Sequence, residues 1–258
     1  MNKLSFVASM LMMCLPMTMM AQKNGAKAQD KPDPNFQIYL CFGQSNMEGN
    51  ANIEDIDRTG VNPRFMAMYA VDDEKAGWKK GQWHTAVPPQ ARPDTGLTPV
   101  DYFGRKMVDN LPDSIKVGTI TVAVGGASID LFDKRTCKAY LKKQPDWMKN
   151  FASKYNGNPY ARLIELAKIA QKQGVIKGIL LHQGETNNGD ANWPNRVKTV
   201  YNDILKELHL KAEDVPLLVG ETVQKDQGGS CWQHIAIVDD IAKTIPTAHV
   251  ISSKGCPQ

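Results

Sequence analysis

The chain has 258 residues, of which 42% are hydrophobic and 22% charged. That is enough apolar material for one sizeable core and argues against a disordered chain. A formal charge of +4 is too small to point to a nucleic-acid partner, and five cysteines without a Cys-x-x-Cys pair argue against a zinc site.

Residues 1–21 read as a secretory signal peptide. Met1-Asn2-Lys3 is a short basic start, Leu4 to Met20 is apolar and methionine-rich, and cleavage is expected after the small Ala21. The apolar run is too short for a membrane span. Met13 before Cys14 is not the small residue of a lipoprotein signal. The mature chain is therefore expected to be secreted or periplasmic, with no membrane span. Residues 22–34 are rich in Lys, Ala, Gln and Pro and read as a linker, which leaves 35–258 as one domain. Export permits disulfides; Cys231 with Cys256 is the expected pair, and Cys41 reads as a buried small hydrophobe.

The first element of that domain is a strand, Phe36 to Phe42, followed by the turn Gly43-Gln44-Ser45-Asn46-Met47. Residues 48–63 read as a loop with room for one short helix, and Arg64 to Val71 as a short strand. Residues 72–98 read as a long loop carrying Trp78, Trp83 and His84, whose aromatic rings could meet sugar faces or cover the core. Thr98 caps a helix from Pro99 to Asn110 with Val100, Phe103, Met107 and Val108 along one side. Lys116 to Val124 is a strand, with Gly125-Gly126 at its end.

Residues 129–158 are basic and read as an irregular insertion over one edge of the site, with Trp147 and Tyr155. Asn158-Pro159 opens a helix that Gly174 stops. Val175 to Leu181 is a strand ending in His182-Gln183-Gly184-Glu185. Asn192 caps a long helix with Val197, Val200, Tyr201, Ile204, Leu205 and Leu208 on one stripe. A strand at Val215 to Gly220, a helix over 231–244 and a strand at His249 to Ser252 complete the chain. Strands alternating with helices predict an α/β fold: a mostly parallel central sheet in a three-layer α/β/α sandwich.

Three motifs thus fall just after strand C-termini, the edge where open α/β sheets hold ligands. Each alone reads equally well as an ordinary turn. Together they supply a nucleophile, backbone donors, a side-chain amide and a carboxylate, the parts needed for acyl transfer. Ester hydrolysis by serine builds a tetrahedral oxyanion, and fixed donors must stand where that charge develops. The N–H of Ser45, the N–H of Gly126 and the amide of Gln183 are the candidates.

Gly43-Gln44-Ser45-Asn46-Met47, Gly125-Gly126 and His182-Gln183-Gly184-Glu185 resemble the first three blocks of the SGNH hydrolases. More narrowly they resemble the sialate O-acetylesterase and acetylxylan esterase branch. The resemblance runs over residues 36–254. It implies a flavodoxin-like three-layer fold, an acetyl-Ser45 intermediate, an oxyanion hole of Ser45, Gly126 and Gln183, and no metal or organic cofactor. Gly125 is the less favoured of the two glycines. Glu185 takes the place of a residue implicated as the triad acid in some members, and otherwise orients loops at the pocket. Gln44, Asn46, Gly125 and His182 are the expected substrate contacts.

The family's last block, D-x-x-H, supplies the general base, and no such block occurs before Gln258. Serine without a base is a poor nucleophile. Three readings stay open: the base lies beyond Gln258, the protein only binds carbohydrate, or a histidine such as His84 substitutes. His182, His234 and His249 read as site-lining or structural. An α/β-hydrolase is disfavoured because Met47 stands where G-x-S-x-G needs glycine. The expected partner is an acetylated oligo- or polysaccharide of the xylan type. The alternative is an O-acetylated sialic acid, its carboxylate paired with Arg92 or Arg135.

Overall fold

The structure is a computed structural model that describes residues 31–256. The leader, its cleavage after Ala21 and the linker through residue 30 lie outside the described residues.

Seven strands form one sheet in the order β3-β2-β4-β1-β5-β6-β7. They are β1 (Phe36–Gly43), β2 (Phe65–Met68), β3 (Trp83–Thr85), β4 (Lys116–Ala123), β5 (Val175–His182), β6 (Leu217–Gly220) and β7 (Ala248–Ile251). All neighbouring pairs are parallel except β2 with β3. The helices are α1 (Ser45–Glu48), α2 (Asp55–Arg58), α3 (Pro99–Asn110), α4 (Cys137–Lys142), α5 (Asp146–Ser153), α6 (Pro159–Ala170), α7 (Trp193–Glu207), α8 (Ile235–Asp239) and α9 (Ile241–Thr244). None of them is long and apolar enough to cross a membrane.

The alternation of β1 explains the layers. Ile38, Leu40 and Phe42 point to one side and join Leu163, Ala167, Val197, Val200 and Ile204 of α6 and α7 in the larger core. Tyr39 and Cys41 point to the other and pack with Val100 and Val108 of α3. A strand buried on both faces reads as a continuous apolar run, as this one does. The expected three-layer α/β/α sandwich is the fold observed.

Helix α3 begins where its sequence signals put it. The Thr98 hydroxyl accepts from Val100 N–H, and Asp101 accepts from Thr98 N–H, a reciprocal capping box with Pro99 at the first position. Asp101 is fully buried. Burial pushes its carboxyl up to about 6, against the opposing effect of its bonds to Thr98 N–H and the Gln90 amide. A carboxyl raised above its unfolded value of about 3.9 stabilises the fold fully below that pH and loses the contribution as pH rises through about 6. Between pH 4 and pH 7 the wild type is therefore expected to lose about 2 kcal/mol relative to Asp101→Asn, measured by urea unfolding. Equal pH slopes in the two proteins would refute this assignment.

Three segments differ from the sequence expectation. The loop over 72–98 contains β3; its tryptophans follow the covering reading, with Trp78 stacked on His84 at 3.8 Å and Trp83 edge-on against Phe36 at 4.8 Å. The insertion over 129–158 is helical, holding α4 and α5. The helix expected over 231–244 is broken into a 3-10 turn, α8 and α9. Cys41, Cys137, Cys231 and Cys256 are all free, so the expected Cys231–Cys256 bridge is not made.

Candidate active site

The register of the sheet brings the three motifs to one edge. Gly43 pairs with Ala123 on one side and His182 on the other, so β1, β4 and β5 end together. Gly43 must be glycine for this approach, because a Cβ there would lie 2.0 Å from the His182 carbonyl oxygen. The ladder continues one step, with Gln44 N–H donating to His182 O at 3.0 Å. The chain then turns into α1, closed by bonds from Glu48 N–H to Gln44 O and from Gly49 N–H to Ser45 O. Ser45 stands at the first position of this turn, half-buried, and its N–H has no partner among the described residues.

Behind the serine lies a buried ion pair. Glu48 Oε1 accepts from Arg92 Nη1 at 2.5 Å and from Gly125 N–H at 3.0 Å. Arg92 also donates to Ala123 O at 3.1 Å, and the Phe151 ring covers its guanidinium at 4.8 Å. Gly125 is thus buried with its N–H engaged, whereas Gly126 is half-exposed and its N–H has no partner among the described residues. Gly126 adopts φ +68°, a left-handed conformation that favours glycine.

The third loop is fastened by Gln44. Its Oε1 accepts from Gln183 Nε2 at 3.1 Å, Thr186 N–H at 3.3 Å and Gly184 N–H at 3.4 Å, and the side chain is buried. Gln44 therefore braces the loop; its carbonyl oxygen is not left over for a substrate. Thr186 Oγ1 donates to Gly126 O at 3.0 Å, which ties the second and third loops together.

Gln183 lies among these residues, but its amide faces inward. Nε2 donates to Asn187 Oδ1 at 2.7 Å and Ala127 O at 3.2 Å, while Oε1 accepts from Trp193 Nε1 at 2.5 Å. The indole donor and the backbone acceptor together fix which end of the amide is which. With 1% of its surface exposed and its hydrogens already engaged, Gln183 is not poised to meet an oxyanion. A neighbouring side-chain amide belongs to Asn187. Its Oδ1 is held by Gln183 and by Ile129 N–H at 3.1 Å, and its Nδ2 has no partner among the described residues. Sequence reasoning passed over Asn187; the available signal was a second side-chain amide two residues after Glu185.

Asn46 and Glu185 are joined directly, Nδ2 to Oε1 at 2.7 Å. His182 Nδ1 lies 3.7 Å from the same Glu185 oxygen, and Glu185 Oε2 is buried without a partner among the described residues. The other histidines stand apart. His84 is on β3, separated from β1 by β2 and β4, with Nδ1 at 2.9 Å from Thr85 O, so it is not placed to serve Ser45. His249 lies on the edge strand β7, and His209 just past α7. His234 is fully buried, edge-on to Trp193 and packed under Gly184; burial lowers its pKa to about 4, so the ring is neutral at pH 7.

The two arginines considered for a substrate carboxylate are both engaged. Arg92 is 2% exposed and paired with Glu48. Arg135 binds Asp133 and Asp203, each at 2.7 Å.

The fold has counterparts among solved structures. The chain superposes on a protein of Arabidopsis thaliana with a TM-score of 0.62 at 19% identity, covering 88% of each chain. A carbohydrate acetylesterase from Xanthomonas citri matches with a TM-score of 0.57 at 20% identity, covering 86% of this chain and 51% of that one. NanS matches with a TM-score of 0.59 at 17% identity, covering 88% of this chain and 80% of that one. At these identities the likeness establishes the fold. The sequence itself matches the model of a carbohydrate esterase family, the sialic acid-specific acetylesterases, over residues 35–258. With nearly the whole of the described chain inside that match, the protein belongs to this family of carbohydrate acetylesterases.

Proposed function

We propose that the protein is an exported serine esterase that removes O-acetyl groups from plant polysaccharide of the acetylxylan type through an acetyl-Ser45 intermediate. The observation that carries this reading is the pairing of Ser45, whose N–H is unengaged, with the unengaged N–H of Gly126 at one sheet edge. Ser45 Oγ attacks the acetyl carbonyl while a general base takes its proton. The oxyanion is held by Ser45 N–H, Gly126 N–H and, in place of Gln183, the Asn187 Nδ2. Collapse expels the sugar oxygen, which takes the proton from the base. Water then attacks the acetyl-enzyme, again giving a proton to the base, and acetate leaves as Ser45 recovers its hydrogen.

The base is assigned to a histidine other than His84 and His234, which are held elsewhere. Glu185 is assigned as the acid that orients it. On that assignment Glu185→Gln is expected to lower kcat by about 10⁴-fold, the cost of losing a triad carboxylate. A loss under tenfold would make Glu185 a loop brace acting through Asn46.

A neutral xylan-type sugar is favoured because both candidate arginines are already paired. The second reading, an O-acetylated sialic acid, draws support from the specificity in the description of the matched family. The deciding experiment is acetate release from 4-nitrophenyl acetate, acetylated xylan and O-acetylated sialic acid. Turnover of xylan in preference to sialic acid supports the first reading. Turnover of sialic acid alone replaces the first reading by the second. Sugar binding without turnover, and without reaction of Ser45 with a serine-directed phosphonate, leaves a binding protein.

A further inference from the structure

Five tryptophans occur in the chain, and four of them are spoken for. Trp78 lies flat on His84, and Trp83 packs against Phe36. Trp193 is buried with its Nε1 on Gln183, and Trp232 has the Lys225 ammonium 4.8 Å from its ring centre. Trp147 is different. It is 47% exposed, and its Cη2 lies only 2.8 Å from where a Cβ on Gly126 would stand. The indole edge therefore rests against the glycine whose N–H is unengaged.

An exposed apolar side chain needs no explanation by itself. The way Trp147 is held does. Its ring packs edge-on against Phe151, one helical turn further along α5, at 5.9 Å between centroids. Phe151 covers Arg92, and Arg92 pairs with the Glu48 that fixes Gly125. Met148, the next residue, is buried with its Cε 3.5 Å from the same Gly126 position. The indole is thus fastened to the oxyanion turn along the chain Phe151–Arg92–Glu48, while half of its surface stays open to solvent. A large flat ring, fixed in orientation and left uncovered beside reacting groups, is what stacking on a ligand requires.

We propose that Trp147 is the sugar platform of the site, taking the apolar face of the acetylated pyranose ring. Pyranoses carry axial C–H groups on their faces and equatorial oxygens around the rim. A ring lying flat on the indole sends its equatorial esters sideways, parallel to the indole plane. Gly126 lies at the edge of that plane, so an equatorial acetyl group on the near rim brings its carbonyl to Gly126 N–H. An axial acetyl on the stacked face holds the ring off the indole. The ligand class is therefore a pyranoside with an equatorial O-acetyl group. This assignment rests on the esterase reading for its chemistry, and on the placement of Trp147 alone for its binding.

The test uses Trp147→Ala and Trp147→Phe in the full chain, with a monoacetylated methyl β-xylopyranoside and with 4-nitrophenyl acetate, which has no sugar. Trp147→Ala is expected to raise KM for the xyloside at least about tenfold, as loss of aromatic stacking does elsewhere, with kcat held within about threefold. Turnover of 4-nitrophenyl acetate should fall by a clearly smaller factor than kcat/KM for the xyloside, and Trp147→Phe should restore most of the affinity. Equal losses on both substrates would overturn the proposal, because the indole would then only shape the turn. An unchanged KM would overturn it as well. A second readout is independent of turnover. In Ser45→Ala protein, adding the xyloside should change tryptophan emission, and the change should vanish in Ser45→Ala/Trp147→Phe. If no ester is cleaved by any form but the emission change persists, the esterase reading falls and the platform stands. If esters are cleaved but emission and KM ignore Trp147, the platform falls and the esterase stands.

Discussion

Ser45→Ala is expected to lower acetate release by at least about 10⁴-fold while leaving the fold intact, because losing the nucleophile of a serine hydrolase removes the covalent route altogether. The residue is half-buried at the start of a single helical turn, and its hydroxyl takes part in no side-chain hydrogen bond among the described residues. Alanine therefore removes chemistry and almost no packing. Unfolding in urea should match the wild type within about 0.5 kcal/mol, the range of a substitution that breaks no buried contact. Full acetate release by Ser45→Ala would end the serine mechanism and leave some other group to be found at the same edge.

The second large effect concerns stability. Arg92→Ala is expected to destabilise the protein by about 3–5 kcal/mol, since it leaves the Glu48 carboxylate buried without its counter-charge. For a domain of this size that corresponds to a fall in Tm of roughly 10 °C or more. The pair is 2% and 7% exposed on its two side chains, so solvent does little to replace the lost partner. Glu48→Gln in the Arg92→Ala background should recover part of the loss, because the orphaned charge is gone while an oxygen remains for Gly125 N–H. A cost below 1 kcal/mol for Arg92→Ala would show that the carboxylate finds another partner. Activity should fall further than folding alone explains, because Glu48 holds the turn that presents Gly126.

Where local signals agree, the sequence was readable. Thr98, Pro99 and an apolar stripe defined α3 from Pro99 to Asn110, and β-branched and aromatic runs located β1, β4 and β5. The motif edge followed, because parallel strands carry their C-terminal ends on one edge of the sheet. What stayed hidden was set by distant partners. β3 is three residues long and exists through pairing with β2. The lysines of 129–158 mask two helices whose buried positions, such as Cys137, Met148 and Ala152, are few and scattered. Arg92 reads as a free cation until Glu48, far earlier in the chain, is seen beside it. Gln183 reads as a donor until Trp193 and Ala127 are seen to hold its amide from both ends.

The central position of β1 also bears on how the protein acquires its shape. It is the first strand to be made, yet it can pair only with β4, which starts at Lys116, and with β5, which starts at Val175. No local hairpin can shelter its run of Ile38, Leu40 and Phe42 in the meantime. Closing such long loops before any sheet contact forms makes folding slow and leaves an apolar strand open to wrong partners. The nucleophile turn at Ser45 can therefore take its final form only late, after the chain as far as His182 is in place. A folding time course should show serine reactivity rising with the last phase of sheet formation rather than with the first.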